Sequence, residues 1–269
     1  MAVVAGIDAL DESFGRLFVV VGVFDGLHRG HLYLLRHLRR EAARRDARPA
    51  VVTFDHHPDE ILTGAAPALL CDPQERLERL ASAGVALTVV QTFDVALRRT
   101  PFDAFVRRIA DRAPLAGFLM TPDAAFGFER RGTPEAVRDL GRSMGYDVAL
   151  VPPLELDGRP IRSADIRAAI AAGDLAAAAR ILGRAVSITG RLESAGIGQR
   201  LVFDLPVALP PPSKYHVKAQ AAKWPDGEVV LRSGTVSIGG PESVLIQVDG
   251  MPSGERVRII FAHRKVTSR

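Results

Sequence analysis

Leu17 to Phe24 reads LFVVVGVF, an unbroken apolar run. Such a run is what a strand buried on both faces shows. It breaks at Asp25-Gly26 and passes into His28-Arg29-Gly30-His31, after which Leu32, Leu34, Leu35 and Leu38 recur at helical spacing. The pattern predicts a strand over 17–24 that turns into a helix over 31–46. In an open α/β sheet, ligands bind at that carboxyl end of a strand. The helix N-terminus that follows offers free N–H groups, which suit a phosphate. Gly22 and Gly30 carry no Cβ and let the backbone approach a ligand. His28 and His31 are three apart, one helical turn, so both rings can serve one ligand. Two imidazole donors on one phosphate stabilise charge that develops in a transition state. The plain alternative is a pair of histidines that cap a helix or face solvent. A zinc site lacks a third ligand at metal spacing nearby, and no metal ligands are assigned.

The chain downstream repeats the alternation. AVVTF (50–54) reads as a strand that ends in Asp55-His56-His57-Pro58. Residues 59–72 read as a loop, 73–84 as a helix with Pro at its start and Gly at its end, and 85–91 as a strand. A helix over 101–112 with Phe102, Phe105, Val106 and Ile109 on one face precedes a strand over 116–120. A helix over 133–144 precedes a strand over 147–151. Alternating strands and helices call for a parallel sheet with helices on both faces. Residues 1–16 read as a lead-in without assigned structure. Ser163 is placed to cap a helix that carries Arg167 one turn in. A hydroxyl, free amides and an arginine at a helix start make an anion site. Residues 168–184 read as two short helices hinged at Gly173, with Asp174 as the second N-cap.

GVFDGLHRGH resembles the first motif of the HxGH nucleotidyltransferases, and above all that of the bacterial FAD synthetases. Their second motif, T-F-x-x-H-P, is matched by Thr53, Phe54, His57 and Pro58. In the loop TPDAAFGFERRG (121–132), Asp123, Phe126, Gly127, Arg130 and Gly132 match the family, while Thr121 stands where glycine is usual and Ala124 where phenylalanine is usual. In the third motif Ser163, Ile166 and Arg167 match; Arg162 replaces a serine and Ala164 a threonine. The resemblance implies a Rossmann-like domain over 1–184 that makes FAD and pyrophosphate from ATP and FMN, with Mg²⁺ on the triphosphate. It implies that His28, His31, Ser163 and Arg167 hold that triphosphate, with Arg162 compensating for the lost hydroxyls. Gly22, Val23, Phe24, Asp25, Gly30 and Asp123 would surround the nucleotide. Phe54, His57, Pro58, Phe126, Gly127 and Arg130 would form the flavin side, with Phe126 stacking on a ring and Arg130 pairing with phosphate.

Composition narrows the classes. With 35 Lys and Arg against 31 Asp and Glu, the net charge is a mild +4. All lysines, Lys214, Lys218, Lys223 and Lys265, lie in the last quarter. A Walker-type P-loop, which needs a lysine, is therefore impossible before them. The arginines between Arg36 and Arg48 lack interleaved aromatics, so they read as a solvated helix face rather than a nucleic-acid surface. No apolar run reaches transmembrane length, the start MAVVAGIDALDESFG has no basic leader region, and the single cysteine, Cys71, forms no intramolecular disulfide. These point to a cytoplasmic protein with small-molecule partners, no membrane and no nucleic acid.

From Ala185 the alanine-rich helices stop. VSITGRLES, RLVFDLPVAL, YHVKAQAAK, EVVLRSGTVSI, SVLIQV and RVRIIFAH alternate as short strands, which fits a small all-β barrel over 185–269. FAD synthetases usually carry a riboflavin kinase barrel there, whose G-F-P-T-A-N string should follow Gly198-Gln199-Arg200. LVFDLPVALPPP stands in its place. The expectation is a degenerate kinase-like barrel without kinase activity. Two alternatives stay open: a nucleotidyltransferase with another phosphorylated acceptor, and a non-catalytic flavin- or nucleotide-binding regulator.

Overall fold

The structure, a computed structural model, describes residues 1–195, 198–222, 231–241, 243–251 and 253–265. Its elements run β1 (Ala2–Ala5), β2 (Leu17–Val21), α1 (Arg29–Arg44), β3 (Arg48–Phe54), α2 (Pro58–Thr63), α3 (Pro73–Ser82), β4 (Leu87–Gln91), α4 (Val95–Arg98), α5 (Phe102–Ala110), β5 (Leu115–Met120), α6 (Pro134–Met144), β6 (Asp147–Leu150), the hairpin β7 (Glu155–Leu156) and β8 (Arg159–Pro160), α7 (Ser163–Ala171) and α8 (Leu175–Leu182). The barrel strands follow: β9 (Ser187–Ser194), β10 (Gln199–Val202), β11 (Ser213–Ala221), β12 (Arg232–Gly240), β13 (Ser243–Gln247) and β14 (Arg256–Lys265).

The first six strands form one sheet in the order β1-β4-β3-β2-β5-β6, and each pairing is parallel. Strand β2 is central: Val19 pairs with Ala50 on one side and Phe118 on the other. Its residues Leu17 to Val20 are all buried, which is why the run carries no polar alternation. The order reverses between β4 and β5, so the switch point lies at the carboxyl end of β2. Strands β9 to β14 close into an antiparallel barrel, β10-β13-β12-β11-β14-β9, around Tyr215, whose ring meets Phe261 edge-on at 5.5 Å. The architecture is α/β followed by an all-β barrel, as the pattern predicts. Lys223 and residues 228–230 of the predicted strands lie outside the described residues.

Several local readings are corrected. The lead-in contains strand β1, paired with β4, and it buries Ile7 and Leu10 in the core. Four residues are too few to show a periodic signal, so only pairing reveals the strand. Where the pattern over 59–72 predicts a loop, the structure has helix α2 at its start. There His57 is the N-cap, its Nδ1 accepting from the Asp59 amide at 3.2 Å, with Pro58 at the first helical position. Helix α1 begins at Arg29, so His28 precedes it and the helical-turn argument applies to His31 alone. Arg162, not Ser163, occupies the N-cap of α7 and Ser163 is its first residue. Asp174 caps α8 as predicted, accepting from the Ala177 amide at 2.9 Å.

The chain forms two compact units, each discontinuous in sequence. The first comprises Met1–Phe24, Gly30–Pro67 and Arg79–Pro160; the second comprises Asp25–Arg29, Ala68–Glu78 and Ile161–Arg269. The boundary read at residue 184 falls inside the second unit. No helix among the described residues is long and apolar enough to cross a membrane.

Candidate functional site

In the first unit a cleft of about 620 Å³ opens at the carboxyl ends of β2, β3 and β5. That volume is in the range of a small-molecule site. Gly22, Val23, Phe54, His57, Pro58, Phe126, Gly127 and Arg130 all line it. Asp123 is not in the lining. Its exposed carboxylate accepts from the Thr121 hydroxyl at 2.7 Å, so the residue that replaces a glycine orients the acid. Thr53 is fully buried and donates its hydroxyl to the Val23 carbonyl at 3.0 Å. It thereby ties the end of β3 to the loop after β2. Phe24 is buried at φ +54, and its ring lies 5.1 Å from that of His31.

The loop after β5 owes its shape to packing on Phe102. A Cβ on Gly127 would lie 2.6 Å from the Phe102 backbone, and one on Gly132 the same distance from the Phe102 Cβ. Between them Glu129 and Arg130 both take positive φ, a strained state for side chains with a Cβ. The Phe128 amide donates to the Thr100 carbonyl at 2.8 Å. The ring of Phe126 packs against Phe105 and Phe118, at 5.5 and 5.9 Å. Part of it therefore belongs to the core rather than to the cleft.

Reading the sequence missed four of the cleft's apolar walls: Leu62, Leu97, Phe93 and Phe128. Leu62 and Leu97 sit on helices that the sequence reading did not assign. Phe93 follows the carboxyl end of β4, where the strand-end rule already pointed. Phe128 is 40% exposed, and an apolar residue isolated in a polar loop was its signal.

In the second unit the turn from Asp25 to His28 is held by several groups. The buried Asp25 carboxylate accepts from the Leu70 and Cys71 amides, at 2.9 and 3.3 Å, and from Arg167 Nη2 at 2.6 Å. Burial pushes the Asp25 carboxyl up, against the pull of Arg167 and the two amides. Arg167 also donates its Nε to the Ala68 carbonyl at 2.7 Å. Asp25 is thus tied into the protein's own polar network. Ser163 lies within 3.4 Å of the Asp25 carbonyl, which its hydroxyl meets at the long end of a hydrogen bond. Arg162 is exposed, while Gly30 stands in the first turn of α1. His28 is buried, and its pKa falls to about 4 through burial first and then the charges of Arg184 and Arg167. The ring is neutral at pH 7. Cys71 accepts from the Gly26 amide, and burial pushes its thiol up to about 12. It is a structural thiol rather than a nucleophile. The described residues hold no cluster of three or more His, Cys, Asp or Glu side chains fit to cage a metal.

A family model described as FAD synthetase matches residues 11–165. The bifunctional riboflavin kinase/FMN adenylyltransferase of Pseudomonas fluorescens is 32% identical over 207 residues, 76% of this chain and 65% of that protein. The protein of the same description from Escherichia coli strain K12 is 31% identical over 195 residues, 71% of this chain and 62% of that one. The chain therefore spans less than two thirds of the length of these curated relatives. Among solved structures, one described as a macrolide-efflux protein from Streptococcus pneumoniae superposes with a TM-score of 0.78 at 21% identity, over 97% of this chain and 90% of that one. A likeness at that identity speaks for the fold alone.

Proposed function

This chain belongs to the FAD synthetase family, and on that premise we propose that it is an FMN adenylyltransferase. A phosphate oxygen of FMN attacks the α-phosphorus of ATP. The bond from that phosphorus to the bridging oxygen of the β-phosphate breaks, and FAD and pyrophosphate leave. No covalent enzyme intermediate is needed, so positioning and charge stabilisation carry the reaction.

The observation that carries the proposal is the cleft at the sheet's switch point. Its lining holds Phe54, His57, Pro58, Phe126, Gly127 and Arg130, all within the family match. Apolar walls with few polar groups suit a flavin ring. In this reading His28, His31, Ser163 and Arg167 bind the triphosphate. The Gly22–Phe24 backbone and Asp123 hold the nucleoside. A neutral His28 offers one N–H, and the negative charge of a bound triphosphate favours the protonated ring with two. Arg167 is anchored by its Nε on Ala68 and its Nη2 on Asp25, which fixes the orientation of its guanidinium. Mg²⁺ would come with ATP as its substrate complex and would neutralise charge on the triphosphate.

The same reading gives the barrel no riboflavin kinase activity. Val202, Leu205 and Val207 stand in the stretch where the kinase string is expected, and their side chains offer no hydroxyl or amide for a nucleotide.

The test is a chromatographic assay with ATP and Mg²⁺, with FMN in one tube and riboflavin in another. FAD from FMN alone is the expected result, and it should vanish in His28→Ala and His31→Ala. Product from riboflavin would overturn the statement on the barrel. Silence in both tubes from a folded protein would overturn the adenylyl-transfer reading.

A further inference from the structure

Three supports of the turn before α1 are described above: the amides of Leu70 and Cys71, Arg167 beneath Asp25, and the Cys71 thiol on Gly26. A fourth comes from the end of α8. Arg184 donates its Nη1 to the Leu27 carbonyl at 3.4 Å. Leu27 is fully buried and stands at φ +40, a conformation that a leucine holds only when its surroundings impose it. The neighbouring Gly183 is the left-handed C-cap of α8 at φ +79, and a Cβ there would lie 2.7 Å from Cγ of Arg29. Two successive residues, 183 and 184, thus meet 29 and 27, the residues on either side of His28. Their base is firm, because α8 buries Leu175, Ala178, Ala179 and Leu182.

We propose that Arg184 is a positioning residue for His28: its guanidinium holds the strained turn from which His28 projects and so fixes how the imidazole is presented. The charged groups that act on the ring come from two elements, Arg184 after α8 and Arg167 on α7. Arg184 is the stronger influence of the two. The same cation that holds the turn adds to the burial that keeps the ring neutral. From the adenylyl-transfer reading the inference takes only the role of His28 toward phosphate.

The experiment uses the full chain with Arg184→Ala, Arg184→Gln and Arg184→Lys, each first checked by thermal melting. The His28 ring is titrated by NMR, its signal assigned from the spectrum of His28→Asn, and steady-state kinetics are measured with ATP and FMN. In Arg184→Ala, kcat should fall about 10-fold or more, since small misplacements of catalytic groups cost that much, with KM for FMN unchanged. The His28 midpoint should rise from about 4 toward 6.5. Arg184→Lys should restore the midpoint, and Arg184→Gln should leave it raised. If Arg184→Ala does not fold, the Gln and Lys pair decides the matter. A variant that melts earlier, yet keeps the wild-type His28 titration and kcat, would overturn the proposal and leave Arg184 a structural residue. A wild-type chain that makes no FAD sinks the adenylyl-transfer reading, while the His28 titration still decides whether Arg184 controls that ring.

Discussion

His28 shows how a single buried side chain couples folding to pH. Unfolded, it titrates near 6.5; folded, near 4. Below pH 6.5 the unfolded chain binds a proton that the folded chain refuses. The contribution of His28 to stability is thus fully present above pH 6.5 and is lost as pH falls toward 4. The gap corresponds to about 3 kcal/mol. Urea unfolding of the wild type and His28→Asn at several pH values should show the wild type losing about that much more between 6.5 and 4. Parallel curves would mean that the ring is solvated in the folded state. At the same scale, His28 and His31 were legible as site candidates from their spacing, and His57 and Phe126 from the family resemblance of their motifs. The engagement of Asp25 was not. Its partners Leu70, Cys71 and Arg167 are 45, 46 and 142 residues away, and no local pattern encodes such pairs.

Among the elements, the loop after β5 separates two costs of a glycine. Gly127 and Gly145 share φ +75, but a Cβ on Gly127 strikes Phe102 while one on Gly145 meets nothing within 4 Å. Gly145→Ala should cost only the conformational strain, about 1 kcal/mol. Gly127→Ala adds a clash in a packed region, so about 3 kcal/mol is expected. It should also weaken FMN binding, because Phe126 and Arg130 ride on the same loop. Chemical denaturation and flavin titration of both variants check this; equal losses would mean that the loop yields around Phe102. Strands and long helices were readable because each repeats a period that burial enforces. The four-residue β1 and α4 and the six-residue α2 were not, since so few residues complete no diagnostic pattern.

At the scale of the molecule, the second unit recruits chain from well before residue 184. Glu75, on α3, is fully buried; it accepts from the Thr189 hydroxyl at 2.7 Å and pairs with Arg258 at 3.4 Å. Arg256 binds Asp72 through both carboxylate oxygens, at 2.5 and 2.6 Å. Breaking a buried pair costs about 3–5 kcal/mol, and a whole domain holds only about 5–15. Fragment 185–269, which lacks residues 68–78, should therefore fail to fold independently. The measurements are a thermal melt and limited proteolysis of that fragment. A cooperative melt with protease resistance would contradict the assignment of residues 68–78 to the second unit.

What this chain's sequence determined by itself is what repeats locally or sits in contiguous motifs: the alternation of buried strands and amphipathic helices, the switch to short β segments, and the histidine, glycine and phenylalanine strings at strand ends. Only the tertiary structure decided which distant groups share a charge, which glycines are irreplaceable, and which unit each segment joins. Those outcomes depend on desolvation and steric contact between residues far apart in the chain, and neither quantity exists until the chain has closed around them.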